Sequence, residues 1–525
     1  MLKKTIVCLM SVIPFGAAAQ QDQMQMKYAE TITARDLRAR LEIIASKEFE
    51  GRETGEEGQK KAAAYIKGQF EKFGYGPIEE IGGFYQPFTL QLTYPDTVKL
   101  QVGEQKFQFL KDMYYFPGFG NMLMQTDGLL YLGHGIEDAA YNDFAGNDVK
   151  GQVLLISSGE PKDKKGKSRI TGTTEPSDWT VDWSKKIELI QTKQAKALLI
   201  IDDNFTSSVN QFGRYIQRPD LQLGEESDEP TGIPVIFISS KMADRILAGA
   251  GIKGGHKKLE SAIGKTGKPQ SRQLNVAVSL DVRKNKEELI SENVLAYLKG
   301  TEKPEELVVI TAHYDHLGKK GDDIYYGADD DGSGTTSLIE LAEAFSLAKQ
   351  EGNGPKRSIL FMTVSGEEKG LLGSEFYTDN PVFPLASTVA NLNIDMIGRI
   401  DENHAPDSNY VYIIGSDKLS TQLHSLSEQT NKTYSGIELD YTYNDENDPN
   451  RFYYRSDHYN FAKNGIPVIF YFTGVHVDYH QTTDTVDKIM FPKMEKIARL
   501  IFHTAWEIAN RESRLTVDVK PEQGR

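Results

Sequence analysis

In the second half of this 525-residue chain, four apolar runs of strand length each lead directly into an imidazole or a carboxylate. Leu307–Thr311 opens into Ala312-His313-Tyr314-Asp315-His316, and Ile359–Val364 into Ser365-Gly366-Glu367-Glu368. Val389–Ile394 ends on Asp395, and Pro467–Phe472 leads into a loop that reaches Tyr479-His480. Helical patterns such as Ser337–Ala348 lie between them. Strands alternating with helices predict an α/β fold, a mainly parallel mixed sheet flanked by helices. Functional groups in such a sheet gather beyond the carboxyl ends of its strands. Four strands thus deliver metal-capable side chains to one rim, which scattered surface charge has no reason to do.

The first half reads differently. Leu37, Leu41 and Ile44 recur at helical spacing over Thr33–Ala45, with Thr33 and Asp36 as a capping-box-like start. A second helix is expected over Gly55–Phe73, capped by Thr54 and stopped by Gly74. Residues 84–126 are aromatic and alternating, with Pro and Gly, and predict short strands and loops. From Asp127 a new series begins, with runs at Leu129–Leu132, Val153–Ile156, Ala197–Ile201 and Val235–Ile238. Helical patterns at Ser184–Gln194 and Lys241–Leu247 lie between some of them, which suits a smaller, inserted α/β domain. Gly251–Arg272, rich in Gly and Lys, reads as a surface excursion, and the polar tail after Arg511 as loosely ordered. The expected organisation is a leader over 1–19, the first part of the main domain over 20–126, an insertion over 127–275, the rest of the main domain over 276–510 and a tail over 511–525.

Met-Leu-Lys-Lys, an apolar run from Thr5 to Phe15 and small residues up to Ala19 have the pattern of a cleavable export signal. The expected location is therefore periplasmic or secreted, with no membrane span, because no segment has the required length. Cys8 is the only cysteine and lies inside that signal, so the mature chain would bind any zinc through His and carboxylate groups alone. The formal net charge is −15, and losing Lys3 and Lys4 would take it two lower, to −17. That balance argues against nucleic acid as a partner.

The rim residues differ in what they can do. His313 and Asp315 share a face of an extended chain, so the carboxylate can hold the imidazole in one tautomer. His316 falls on the opposite face and reads as structural. In Gly327-Ala328-Asp329-Asp330-Asp331-Gly332-Ser333-Gly334 three consecutive carboxylates repel one another and call for a cation or strong donors nearby. A calcium loop would spread its oxygens over about twelve residues, whereas this run is compact and opens into a helix. The pattern does not choose among the three aspartates. Adjacent Glu367 and Glu368 can divide labour, one on a metal and one free to handle protons. Asp395 on an apolar run is costly to bury unless it is paired or metal-bound.

With these motifs in hand, the region from Asn293 to about Asn510 resembles the catalytic domain of the M28 family of zinc peptidases. Thr33–Gly74 resembles that family's N-terminal helices. Residues 127–275 resemble an inserted protease-associated domain, in Tyr141-Asn142-Asp143-Phe144 and in Lys150–Ile156. The resemblance implies two zinc ions per chain and peptide substrates. It implies that His313 and Asp395 hold one ion, Glu368 and His480 the other, and that Asp330 bridges them. It implies Glu367 as general base, Asp315 as partner of His313, and a cis peptide between Asp330 and Asp331. By the same likeness Tyr479 would donate to the developing oxyanion and Arg455 would contact substrate. His458 is assigned to structure, and Asp484 is expected to brace the loop around His480.

The implied activity is an aminopeptidase, with Glu367 taking the proton of a zinc-activated water. A carboxypeptidase or dipeptidase would need a cationic anchor, for which Arg455 is available. A glutaminyl cyclase would use one zinc, and a non-enzymatic binding protein would show a damaged ligand set. The complete set of five ligands disfavours both.

Overall fold

Eight of the eleven strands of the main sheet are β1 (Tyr85–Val102), β2 (Val278–Leu298), β3 (Lys303–His313), β4 (Arg357–Val364), β5 (Thr388–Ile394), β6 (Tyr410–Ile414), β7 (Glu438–Asp440) and β8 (Val468–Phe472). They come from a computed structural model that describes residues 23–116, 121–217, 220–224, 232–405 and 407–520. The export signal expected over 1–19 lies outside these residues. The strand order is β7-β6-β8-β5-β3-β4-β2-β1. The centre, β8-β5-β3-β4, is parallel throughout, while β6 and β2 run antiparallel to β8 and β4.

Both faces of that centre are covered, which is why β4 and β5 are buried at every residue rather than at alternate ones. On one face lie α1 (Ala34–Ile44), α2 (Glu57–Lys72), α3 (Gly332–Gln350) and α4 (Phe491–Asn510). Their apolar stripes meet Ile310, Phe361 and Ile394, with Leu338, Phe345 and Phe502 at the centre of the packing. Val309, Leu360, Met362 and Val468 point the other way, against Tyr377 and Phe461. Thr33 caps α1 as expected, accepting from the Asp36 N–H.

The chain divides into two units, Met1–Thr89 with Leu289–Arg525, and Leu90–Glu288. The divisions fall inside β1 and β2, well outside the expected 127 and 275. The reason is that β1 is one strand of 18 residues, not a set of short pieces. Its burial pattern continues past Pro87 and Pro95, with Phe88 and Leu90 near one end and Leu100 and Val102 at the other. The second unit has its own sheet, ordered Arg272–Leu274, Leu129–Tyr131, Val153–Ser157, Ala197–Asp202, Val235–Ser239, Met113–Tyr114. Its four inner strands are parallel.

Three further expectations are corrected. The stretch Gly251–Arg272 is not a surface excursion, because Gly255–Thr266 is a helix that buries His256, Leu259 and Ile263 on one face. The tail is docked as far as it is described: Leu515 is buried, and Asp518 accepts from the Thr421 N–H at 2.9 Å. The second helix begins at Glu57, with Glu56 rather than Thr54 at its cap. Thr54 has another partner, described below. No helix among the described residues is long and apolar enough to cross a membrane.

Candidate metal centre

The register of the sheet brings the four strand ends level. His313 closes β3 beside Val364, the last residue of β4; Thr311 pairs with Asn393, and Ile394 with Tyr471. Asp395 is one residue past β5, and Glu367 and Glu368 are three and four past β4. Behind Asp395 runs a buried polar chain. Thr311 donates to Asn393 Oδ1 at 2.6 Å, Asn393 Nδ2 donates to Ser456 Oγ at 2.8 Å, and Ser456 donates to Asp395 Oδ2 at 2.7 Å.

Arg52 ties the flanking loops together from within. Its buried guanidinium donates to the carbonyls of Tyr314 at 2.8 Å, Ile44 at 2.9 Å, Tyr326 at 2.8 Å and Gly327 at 2.9 Å. One side chain thereby joins the end of α1 to the segment carrying His313 and to the loop carrying Asp330. Burial brings Arg52 down to about 10, while Asp315 and Asp330 act to hold it up. Gly51 beside it sits at φ +72°, where an added Cβ would lie 2.3 Å from the Gly318 carbonyl oxygen. Only glycine fits that turn.

The three aspartates take three different tasks. Asp329 accepts from the Gly398 N–H at 2.6 Å and lies 3.2 Å from His476 Nε2. Asp331 caps α3, accepting from Gly334 N–H at 2.8 Å and from Met396 N–H at 3.0 Å. Asp330 alone of the three turns its carboxylate towards His313 and His480. Its peptide bond to Asp331 is cis, as the resemblance implied. Asp484 accepts from the backbone N–H groups of Asp329 at 3.0 Å and Asp330 at 3.2 Å. It therefore braces the aspartate loop, where the sequence reading had placed it on the His480 loop. Burial, with the neighbouring Asp329, pushes its carboxyl up to about 6.

The centre has Asp330 in its middle. Asp330 Oδ1 is 3.3 Å from His313 Nε2, and Oδ2 is 3.1 Å from His480 Nε2. Asp395 Oδ1 and Glu367 Oε2 lie 3.6 and 3.9 Å from His313 Nε2, and Glu368 Oε2 lies 3.1 Å from His480 Nε2. His313 Nε2, His480 Nε2, Asp330 Oδ2 and Glu368 Oε1 are all buried without a hydrogen-bond partner. Buried polar atoms seldom stay unpartnered, and a set of imidazole and carboxylate donors of this kind fits zinc. The field at the site also favours positive charge. His480 is half-buried, which alone would lower its pKa, yet Asp330 and Glu368 raise it to about 10.

His316 belongs to this centre, against the sequence reading. Its Nδ1 is 2.7 Å from Glu368 Oε1 and 3.8 Å from Asp330 Oδ2. The alternation argument failed because β3 ends at His313, so the residues after it no longer alternate as a strand does. Asp315 also meets His313 in an unexpected way. His313 Nδ1 is 3.1 Å from the Asp315 backbone oxygen, and the carboxylate stands 3.8 Å off. That carboxylate accepts instead from the Thr54 hydroxyl at 2.7 Å and the Glu367 N–H at 3.3 Å.

Tyr479 stacks on the ring of His480, with centroids 3.8 Å apart. Burial first, then Asp330, Glu368 and Glu367, raise its phenol above the usual range. Arg455 is exposed, its guanidinium 4.8 Å from the centre of the Phe452 ring. Both residues line a narrow pocket with Met396, Phe470, Phe472 and Val475, beside Asp330, Glu367 and Asp395.

A parallel sheet thus gathers two histidine–carboxylate groups at its strand ends, each of which could hold a metal ion, on either side of Asp330. Residues 293–505 match the model of peptidase family M28. The chain is 29% identical over 236 residues to a probable leucine aminopeptidase of Trichophyton verrucosum (strain HKI 0517), covering 43% of this chain and 59% of that one. It is 36% identical over 104 residues to the probable glutamate carboxypeptidase AMP1 of Arabidopsis thaliana, covering 20% of this chain and 14% of that one. The chain thus spans less than two thirds of either relative's length. The solved aminopeptidase from Aneurinibacillus sp. strain AM-1 shares the fold, with TM-score 0.53 and 20% identity over 95% of this chain and 100% of that one.

Proposed function

We propose that the chain is a di-zinc exopeptidase that releases amino acids from the amino termini of peptides. The observation that carries this reading is Asp330, whose two carboxylate oxygens face two different histidines at 3.3 and 3.1 Å. His313 and Asp395 would hold one ion, Glu368 and His480 the other, with Asp330 between them and His316 against Glu368. Bound zinc supplies an acidified water and polarises the scissile carbonyl.

The chain's own residues supply the rest. Burial, with Asp395 and Glu368 beside it, pushes the Glu367 carboxyl well above the usual range, against the pull of His313. A carboxyl tuned upward can take a proton near neutral pH and return it to the leaving amine. Asp315, on the Glu367 N–H, fixes the backbone from which that side chain projects. The high pKa of Tyr479 keeps its hydroxyl protonated, so it can donate to the developing oxyanion. Such a donor contributes roughly 3 kcal/mol where it has been removed from other enzymes. The pocket walls of Met396, Phe452, Phe470, Phe472 and Val475 suit an apolar side chain.

Metal analysis together with hydrolysis of free and N-acetylated leucyl peptides tests the reading. Two zinc per catalytic centre and cleavage of the free peptide alone are expected; equal cleavage of the blocked peptide would sink it. Exposed Arg455 beside the pocket supports a second reading, a carboxypeptidase that anchors the substrate carboxylate. That enzyme would cleave the acetylated peptide and lose the ability with Arg455→Ala. We further propose that Leu90–Glu288 is an insertion of the protease-associated type and that the chain is exported. Cell fractionation checks the export.

A further inference from the structure

Leu90–Glu288 contains a second imidazole–carboxylate group that the proposed chemistry does not use. Ligand atoms of Asp203, His256 and Glu260 lie within 4.8 Å of one another. Asp203 directly follows the strand Ala197–Asp202, at the carboxyl end of that unit's parallel strands, where α/β sheets place functional groups. His256 and Glu260 are four apart on the helix Gly255–Thr266 and so share a face.

His256 is held by design of the local backbone. Its Nδ1 lies 2.7 Å from Asp244 Oδ1, which also accepts the His256 backbone N–H at 2.9 Å. Gly255 makes room for that carboxylate: at φ +67° an added Cβ would fall 2.3 Å from Asp244 Oδ1. With the Nδ1 hydrogen donated to Asp244, Nε2 carries either a lone pair or a proton facing Asp203; burial alone would lower the imidazole's pKa, but Asp203 and Asp244 raise it. The imidazole is only 2% exposed, its Nε2 makes no hydrogen bond, and Asp203 Oδ1 stands 3.5 Å from it. A lone pair facing carboxylate oxygens is unfavourable unless something positive lies between them. A carboxylate gripping the far nitrogen is also the usual support of a metal-binding imidazole.

We propose that Asp203, His256 and Glu260 form a divalent-cation site, for which zinc suits the nitrogen and oxygen donors. Lys257 is its resident competitor, with its ammonium 2.5 Å from Asp203 Oδ2 and 2.9 Å from Glu260 Oε2. That side chain is 59% exposed, so it can swing into solvent and release both carboxylates. Asp203 and Glu260 also border a cavity of about 810 Å³, which gives an ion there access to water or a small ligand.

Equilibrium dialysis of the full chain against Zn²⁺, with metal counted per molecule, tests the site. His256→Ala and Asp203→Asn should each bind one equivalent fewer than the unaltered chain. Lys257→Ala should bind that equivalent at least several-fold more tightly, because the competing ammonium is gone. Asp203 and Lys257 are sufficiently exposed that their variants remain informative if the His256 variant does not fold. Equal stoichiometry and affinity in Asp203→Asn, Lys257→Ala and the unaltered chain would overturn the proposal. The gap would then hold a proton on Nε2, paired with Asp203.

Discussion

Glu367 and Glu368 are neighbours in sequence with opposite environments. Glu368 lies between His480 and His316, which hold its carboxyl below the usual range against the effect of burial, whereas burial drives that of Glu367 up. Glu367→Gln should therefore lower kcat by on the order of 10²–10⁴-fold while both metals stay bound, measured by turnover and metal content on one preparation. Loss of metal would instead make Glu367 a ligand. Asp330→Asn should weaken both sites together, each by more than the roughly 10–100-fold that changing a supporting residue costs. Two undiminished affinities in a metal titration would take Asp330 out of the bridge. The sequence carried much of this, since a carboxylate at the end of a buried parallel strand has few uses. It could not choose among Asp329, Asp330 and Asp331, because that choice depends on Gly398, Met396 and Asp484 arriving from elsewhere in the chain. His316 was lost for the opposite reason, a local rule carried past the end of its strand.

Arg52 acts at the scale of elements, joining α1 to two loops through four carbonyl oxygens and lying in a turn with no strong pattern of its own. Arg52→Met would leave those buried carbonyls without donors and should destabilise the chain by about 3 kcal/mol or more, read from urea midpoints. Arg52→Lys should recover only part of that, since an ammonium cannot span what a planar five-donor fork reaches. Metal affinity should fall with both, because the His313 segment and the Asp330 loop lose their common anchor. The central strands were legible because apolar runs of that length buried on both faces have few alternatives. The helix Gly255–Thr266 was not, because Lys and Gly dominate its composition, although His256, Leu259 and Ile263 mark a helical face. Nor was the length of β1, since two prolines there weigh against a strand until its pairing partners are known.

At the scale of the whole molecule, the strand pattern predicted an α/β chain with a second α/β part, but not where one unit gives way to the other. Those divisions lie within continuous strands and carry no break in composition. Each unit also buries a histidine that stays neutral. Burial, with Lys186 adding to it, lowers His134 of the second unit to about 3. Burial lowers His458 of the first unit to about 3, where both its ring nitrogens lack hydrogen-bond partners and the ring stacks on Phe470 at 4.7 Å. An unfolded histidine titrates near 6.5. Between about 6.5 and 3 the unfolded chain therefore binds a proton at this position that the folded chain refuses. The stability contributed by the neutral form is complete above 6.5 and is lost progressively as the pH falls towards 3. At pH 4.5 each group should cost about 2–3 kcal/mol relative to pH 7. Asp484, pushed up to about 6, titrates over the same range, so the informative quantity is a difference between variant and parent. His458→Phe keeps the stack on Phe470 and has nothing to protonate. Its urea midpoint should fall less between pH 7 and pH 4.5 than that of the unaltered chain, by an amount equivalent to those 2–3 kcal/mol. Parallel losses in both proteins would mean that His458 takes up its proton without unfolding, and that the acid sensitivity of the first unit lies in other groups.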